Sequence, residues 1–291
     1  MAADPNQMKA ADFAKVSEID FVTQFNKGIK VLQEILGITR KVEKVPGQVI
    51  KTYKVTGTLE SGEVAEGETI PLSKYKTEVA GLFELTVKKW RKQTTLEAIN
   101  DKGYEQAVTD TDDRMINDIQ GGIRKDFFES MATGTGEASG EGLQGALAQT
   151  WGQLKVLFED YDVADSDFLY MVNPLDIAGY LEKKDVTVQT AFGMTYVESF
   201  LSLYNVLVHT GVPQGTVYGT AKGNLILYYA NPRNADVAKA FDFTTDATGY
   251  VGVHHETTYD NLTTDTVAIC GMALYAELID RIVKGTIEDP R

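Results

Sequence analysis

The stretch LESGEVAEGETIPL, residues 59–72, stands between two arms in which apolar and polar side chains alternate. On the way out Val49, Tyr53 and Val55 alternate with Thr52, Lys54 and Thr56. On the way back Val79, Phe83, Leu85 and Val87 alternate with polar or small residues. Period-two alternation on both sides of a glycine-containing turn predicts one long β-hairpin over residues 48–87. Two strands bury little apolar surface, so such a hairpin is unstable alone and needs another surface to lie against. In a compact domain that surface is local; a long projecting hairpin lies instead on a neighbouring copy.

The turn carries Glu60, Glu63, Glu66 and Glu68, and the return arm runs into Lys88, Lys89, Trp90, Arg91 and Lys92. A nucleic-acid reader combines such a cationic run with aromatic platforms, but no second basic cluster supports that use. We read the two features as complementary: the acidic tip of one subunit against Lys88, Lys89, Arg91 and Lys92 of another. Exposed pairs of this kind contribute only about 0–1 kcal/mol each, so they would set register while apolar area supplies affinity.

Composition narrows the classes further. The chain has 291 residues, with 28 Lys and Arg against 42 Asp and Glu, a net charge of −14. Residues 1–100 carry +2 and residues 101–291 carry −16. That balance argues against a protein built to grip nucleic-acid phosphates, which needs a basic face. The simplest reading of the acidic surface is solubility. Cys270, the single cysteine, forms no internal disulfide and supplies no cysteine-rich zinc site. The N-terminal residues, with Asp4, Lys9 and Asp12, lack a signal-peptide core, and no run reaches membrane-helix length; a cytoplasmic protein is expected.

Outward from the hairpin, Val16, Ile19, Val22, Phe25, Ile29, Leu32, Ile35 and Leu36 recur at helical spacing. Ser17 is expected to cap that helix and Gly37 to stop it. Residues 94–131 read as one long helix, with Met115, Ile119, Ile123, Phe127 and Met131 on its stripe. Gly121 and Gly122 interrupt it, marking a bend or a close backbone approach. A glycine-rich joint at 134–145 precedes alternating elements: a helix at 143–158, a buried strand at 168–172, and a helix from Asn173 and Pro174 to Lys184. Strands follow at 206–208, 216–218, 225–230 and 250–255, and then from 266 to 283, where part is expected to be helical. The pattern is mixed α+β.

No motif carries chemistry. Residues 140–145 fit G-x-G-x-x-G, but TGTGEAS before them is not expected to form the buried strand that a dinucleotide site requires. His254, His255 and Glu256 lack the histidine at 259 that a zinc-protease helix needs, and read as strand histidines on opposite faces. Asp110, Asp112 and Asp113 meet Arg114 at a calcium-ligand position and are expected to form a solvated helix face, and Cys270 reads as core. We expect no catalytic residue, cofactor or metal.

The order of elements resembles the major capsid proteins of tailed bacteriophages, the Hong Kong-97-type fold that encapsulins share. Residues 1–47 resemble the N-terminal arm, and residues 48–87, with EGETIP at the turn, the extended loop. Residues 94–131 are similar to the spine helix, FLYMVNPLDIAGYL (168–181) to the axial strand and helix, VPQGTVYGTAKGNL (212–225) to the segment after it, and 249–287 to the closing strands. The resemblance implies five parts: arm 1–47, extended loop 48–87, peripheral domain with spine helix 88–133, axial domain 134–248, and a return to the peripheral domain at 249–291. It also implies a head subunit that assembles as pentamers and hexamers into an icosahedral shell around double-stranded DNA, in a virion made in the cytoplasm of a host bacterium, with a portal as partner. The chain lacks a long charged helical extension before the arm, which implies a separate scaffolding protein. Lys74 and Lys76 lie on the loop, but nothing identifies a partner for a covalent link. An encapsulin-type shell is the alternative, a phage tail or adaptor component another, and a carboxylate hydrolase a reading from a different class.

Overall fold

The structure, a computed structural model, describes residues 10–45, 47–181, 188–191, 194–200, 203–234, 236–245 and 247–288. Its elements in chain order begin with α1 (Ala10–Leu36), β1 (Lys41–Glu43), β2 (Val49–Thr58), β3 (Lys74–Glu84), β4 (Lys88–Thr95), α2 (Leu96–Lys102), a π turn (Glu105–Thr109) and α3 (Asp110–Met131). There follow β5 (Gly136–Glu141), α4 (Gly142–Leu157), β6 (Phe168–Val172), α5 (Pro174–Leu181), β7 (Val188–Ala191), β8 (Met194–Phe200) and β9 (Leu203–Val208). The chain ends with β10 (Thr216–Ala221), β11 (Leu225–Ala230), β12 (Val251–Thr258), β13 (Thr263–Ala276) and β14 (Val283–Glu288). No helix among the described residues is long and apolar enough to cross a membrane.

Helix α1 forms where apolar side chains repeat: Phe21, Val22, Phe25, Ile29, Leu32 and Leu36 are buried, three or four residues apart. It begins at least seven residues before Ser17, so Ser17 is not its cap; Val16 and Ile19 face outward. Gly37 ends it at φ 63°, with Gly37 N–H donating to Glu34 O and Ile38 N–H to Gln33 O, the paired bonds of a left-handed C-cap. The long helix expected over 94–131 is broken. Strand β4 runs to Thr95, whose Oγ accepts from Ala98 N–H and starts α2. Gly103, at φ 82°, stops that short helix before the π turn leads into α3. Gly121 and Gly122 lie inside α3, and a Cβ on Gly122 would meet no atom of the described residues within 4 Å.

A five-stranded sheet runs β1-β11-β13-β12, with β4 also pairing with β13; α1 and α3 contribute the buried residues that complete its core. A seven-stranded sheet, β5-β14-β10-β6-β9-β8-β7, packs with α4 around a second core of Leu147, Leu154, Phe168, Tyr170 and Val217. Strands β10 and β11 follow each other through one 3-10 turn yet belong to different sheets. Residues 263–276 are all strand, and the only helical character in the closing stretch is the turn Ile279–Arg281.

Residues 136–141 form a strand, β5, parallel to β14, but it is a half-exposed edge with no buried position, not the buried strand that a dinucleotide site requires. The glycines of residues 140–145 serve packing: a Cβ on Gly140 would lie 2.3 Å from the Gly145 carbonyl carbon, so strand and helix touch backbone to backbone. Asn173 opens α5 as expected, its Oδ1 accepting from Leu175 N–H at 2.9 Å; the expected end at Lys184 lies outside the described residues.

Candidate inter-subunit surfaces

Strands β2 and β3 form a two-stranded ribbon of their own, paired from Val49↔Glu84 to Thr58↔Lys74. Only its root is held. Ile50 and Leu85 are buried with Ile226, Tyr228 and Ala273, and Phe83 stacks on Tyr275 with ring centroids 4.5 Å apart. Beyond the root, Lys54 Nζ reaches Asp280 at 3.0 Å. Ten residues of β2 span about 33 Å, so most of the finger stands clear of the body.

The register sorts its side chains. Between Thr52 and Tyr53 it shifts by one, because β3 contributes an extra residue, Ala80. Inside the shift Ile50, Thr52 and Phe83 face the body. Outside it Tyr53 pairs with Val79, Val55 with Thr77 and Gly57 with Tyr75, on the same side as the Lys51–Leu82 and Val49–Glu84 pairs. Simple alternation placed Val79 beside Phe83; the bulge turns it to the other face. Val49, Tyr53, Val55, Tyr75, Val79 and Leu82 therefore form one apolar stripe, every member at least half exposed. Covering it would contribute about 1 kcal/mol or more per side chain.

At the tip, Glu60, Glu63, Glu66 and Glu68 are all exposed, and none is ion-paired among the described residues. Glu60 N–H donates to the Ser73 hydroxyl at 3.0 Å, which closes the turn, and Glu68 N–H donates to Ala65 O at 3.1 Å within it.

The expected landing site is engaged within its own chain. Lys88 pairs with Asp126 at 2.5 Å, Arg91 with Asp265 at 2.7 Å and Lys92 with Asp112 at 2.7 Å. The bond to Asp265 raises the Arg91 pKa. Lys89 is exposed and has no ion pair among the described residues. The clustering arises because β4 lies on β13 and beside α3, which carry these carboxylates. The run is thus mainly a structural strut, and as a receiving surface it offers one unengaged cation.

Sequence reading missed a buried polar clasp. Glu18 of α1 accepts from the Thr244 hydroxyl and from His255 N–H at 2.6 Å. The His255 ring meets Asp112 of α3 at 3.1 Å, and Asp112 also holds Lys92. Burial pushes the Asp112 pKa up, but the bonds from His255 and Lys92 outweigh it and leave the carboxyl below its ordinary value. His254, on the opposite face of β12, stays more than a third exposed, as expected for adjacent strand residues. A signal existed: Glu18 and Asp112 both fall in phase with apolar stripes, 18-21-22-25-29 and 112-116-119-123-127. Burial pushes Cys270 up to about 12, the value of an inert core thiol.

No protein-family model matches the chain, and no curated protein matches it by sequence. Solved structures do. The cyanophage A-1(L) capsid superposes with a TM-score of 0.58 at 12% identity, over 89% of this chain and 92% of that one. The holo-SrpI encapsulin complex from Synechococcus elongatus PCC 7942 gives 0.52 at 9% identity, over 87% and 86%. The capsid of an empty GTA particle gives 0.52 at 10%, over 86% and 88%. These likenesses establish an α+β fold of the Hong Kong-97 type.

Proposed function

We propose that the chain is a structural shell subunit, the major capsid protein of a tailed bacteriophage, whose activity is self-assembly. The observation that supports this most is the finger: an apolar stripe and an acidic tip that the chain itself leaves uncovered. A neighbouring copy is the natural cover, since obligate interfaces bury about 2,000–5,000 Å² of surface and are the more apolar kind. In this reading residues 1–47 are an arm docked by α1, 48–87 the extended loop, 88–133 and 249–291 the peripheral domain, and 134–248 the axial domain. Pentamers and hexamers close an icosahedral head around double-stranded DNA, with a separate scaffolding protein and a portal, inside a bacterial host. The net charge of −16 over residues 101–291 suits a wall that encloses DNA without binding it.

The fold likeness to an encapsulin, nearly equal to that with the cyanophage capsid, favours one second reading: a nanocompartment shell. Negative-stain microscopy of the purified protein tests both. Closed particles support a shell, with a co-purifying enzyme marking the compartment and co-expressed scaffold dependence marking the phage head. A chain that stays monomeric at every concentration, with the phage scaffold co-expressed as well as without it, refutes both.

A further inference from the structure

The β4 cations other than Lys89 are already paired within the chain, and the molecule offers the acidic tip a second receiver elsewhere. We propose that the fingertip of a neighbouring copy docks in the cavity between α3 and residues 209–213, where Arg124, Lys125 and His209 take up its carboxylates. This inference rests on the shell reading and names the contact that reading leaves open.

The cavity measures about 520 Å³, and its walls include Arg124, Lys125, Phe128, His209 and Tyr218. Its chemistry is that of a donor. The His209 ring lies flat on Phe128, 4.7 Å between centroids at 4°, and its Nδ1 accepts Gly211 N–H at 2.8 Å. With Nδ1 so engaged, the ring proton belongs on Nε2, a donor. Burial and then the neighbouring Arg124 push the His209 pKa down, so near neutral pH it is this uncharged donor. Burial also pushes the Arg124 pKa down, so an arriving carboxylate would favour the charged guanidinium. Lys125 holds the rim residue Glu129 at only 3.8 Å, both of them largely exposed, a loose pair that a better-placed anion can displace.

The approach is also open. Gly121 lines the cavity, and Gly122 beside it has nothing within 4 Å of a Cβ position, so a second backbone can lie directly on the helix. The tip suits that space. Residues 59–73 contain four glutamates and no cation, and form no helix or strand. Opposite charge on two surfaces of one chain is what sets register between copies.

Two full-length variants test the contact: R124E with K125E, and E60K with E63K, E66K and E68K. Each is expected to lower the yield of closed particles at least tenfold while keeping the wild-type circular dichroism and melting temperature. Joining all six substitutions is expected to restore at least half of the yield. A second measurement covers the case in which a variant misfolds. Glu63→Cys or Glu66→Cys is combined with Lys125→Cys; Cys270 is buried and will not compete. Oxidised particles are expected to show chain-to-chain disulfides on non-reducing gels. Normal particles from R124E with K125E, a six-residue swap that folds but does not rescue, or intact particles whose cysteine pairs stay unlinked overturn the docking site and leave the shell reading standing. A wild-type chain that never assembles, even with the scaffold co-expressed, overturns both.

Discussion

Asp112 shows how much one residue holds. Its carboxylate sits between the His255 ring and the Lys92 ammonium, joining α3 to β12 and β4. Its pKa is lower in the folded chain than the ordinary 3.8, so between the two values the unfolded chain binds more protons. The stabilisation is therefore complete above about pH 4 and fades as pH falls through the folded value. Asp112→Asn is expected to cost about 3 kcal/mol at pH 7, because Lys92 is left largely buried without its counter-charge. Urea denaturation at pH 7 and pH 3 checks this: the gap between wild type and variant should narrow at the lower pH, and a constant gap would refute the linkage. Glu18→Ala removes the acceptor of two buried donors, Thr244 Oγ and His255 N–H, and is expected to cost about 1–3 kcal/mol in the same assay.

The finger has two faces, and substitutions on them are expected to behave oppositely. Phe83→Ala breaks the stack on Tyr275 at the root and is expected to destabilise the isolated chain by about 3 kcal/mol. Tyr53→Ser with Val55→Ser and Val79→Ser touches only exposed side chains, so the melting temperature should stay within a few degrees while particle yield collapses. Calorimetry of the monomer beside sedimentation of the particles separates the two; parallel losses in both assays would show that the stripe packs within its own chain. Period-two alternation made the hairpin legible, and helical spacing did the same for α1 and α3, because both signals are local. The bulge at Ala80 was not legible, since alternation on either side of it is intact and only pairing reveals the shift. The break at Gly103 hid because the apolar stripe continues past it. The role of the β4 cations was hidden for another reason: their partners Asp112, Asp126 and Asp265 lie 20 to 174 residues away, and only the fold brings them beside that strand.

At the scale of the whole chain the question is whether a single copy can be complete. A compact protein of 291 residues has a radius of gyration of about 19 Å. A finger of two strands rooted only through its first few residues adds mass far from the centre, so the dilute monomer is expected to scatter with a clearly larger radius and a long tail in its distance distribution. Replacing residues 56–76 by an Asn-Gly turn joins Val55 to Thr77, which already face each other, without disturbing the root. That shortened chain is expected to fall to about 19 Å and to keep its melting temperature. It is also expected to form no particles at any concentration, because the surface it lacks is one that only another copy uses. Ionic strength supplies an independent check on what drives association. Each chain carries −14, so copies repel one another at long range, and salt shortens that repulsion to about 10 Å at 0.1 M. If apolar burial supplies the affinity and ion pairs only the register, wild-type assembly should begin at lower protein concentration in 0.5 M than in 0.05 M salt. Weaker assembly at high salt would mean that the charged contacts carry the binding, and the apolar stripe would lose its place as the main adhesive surface.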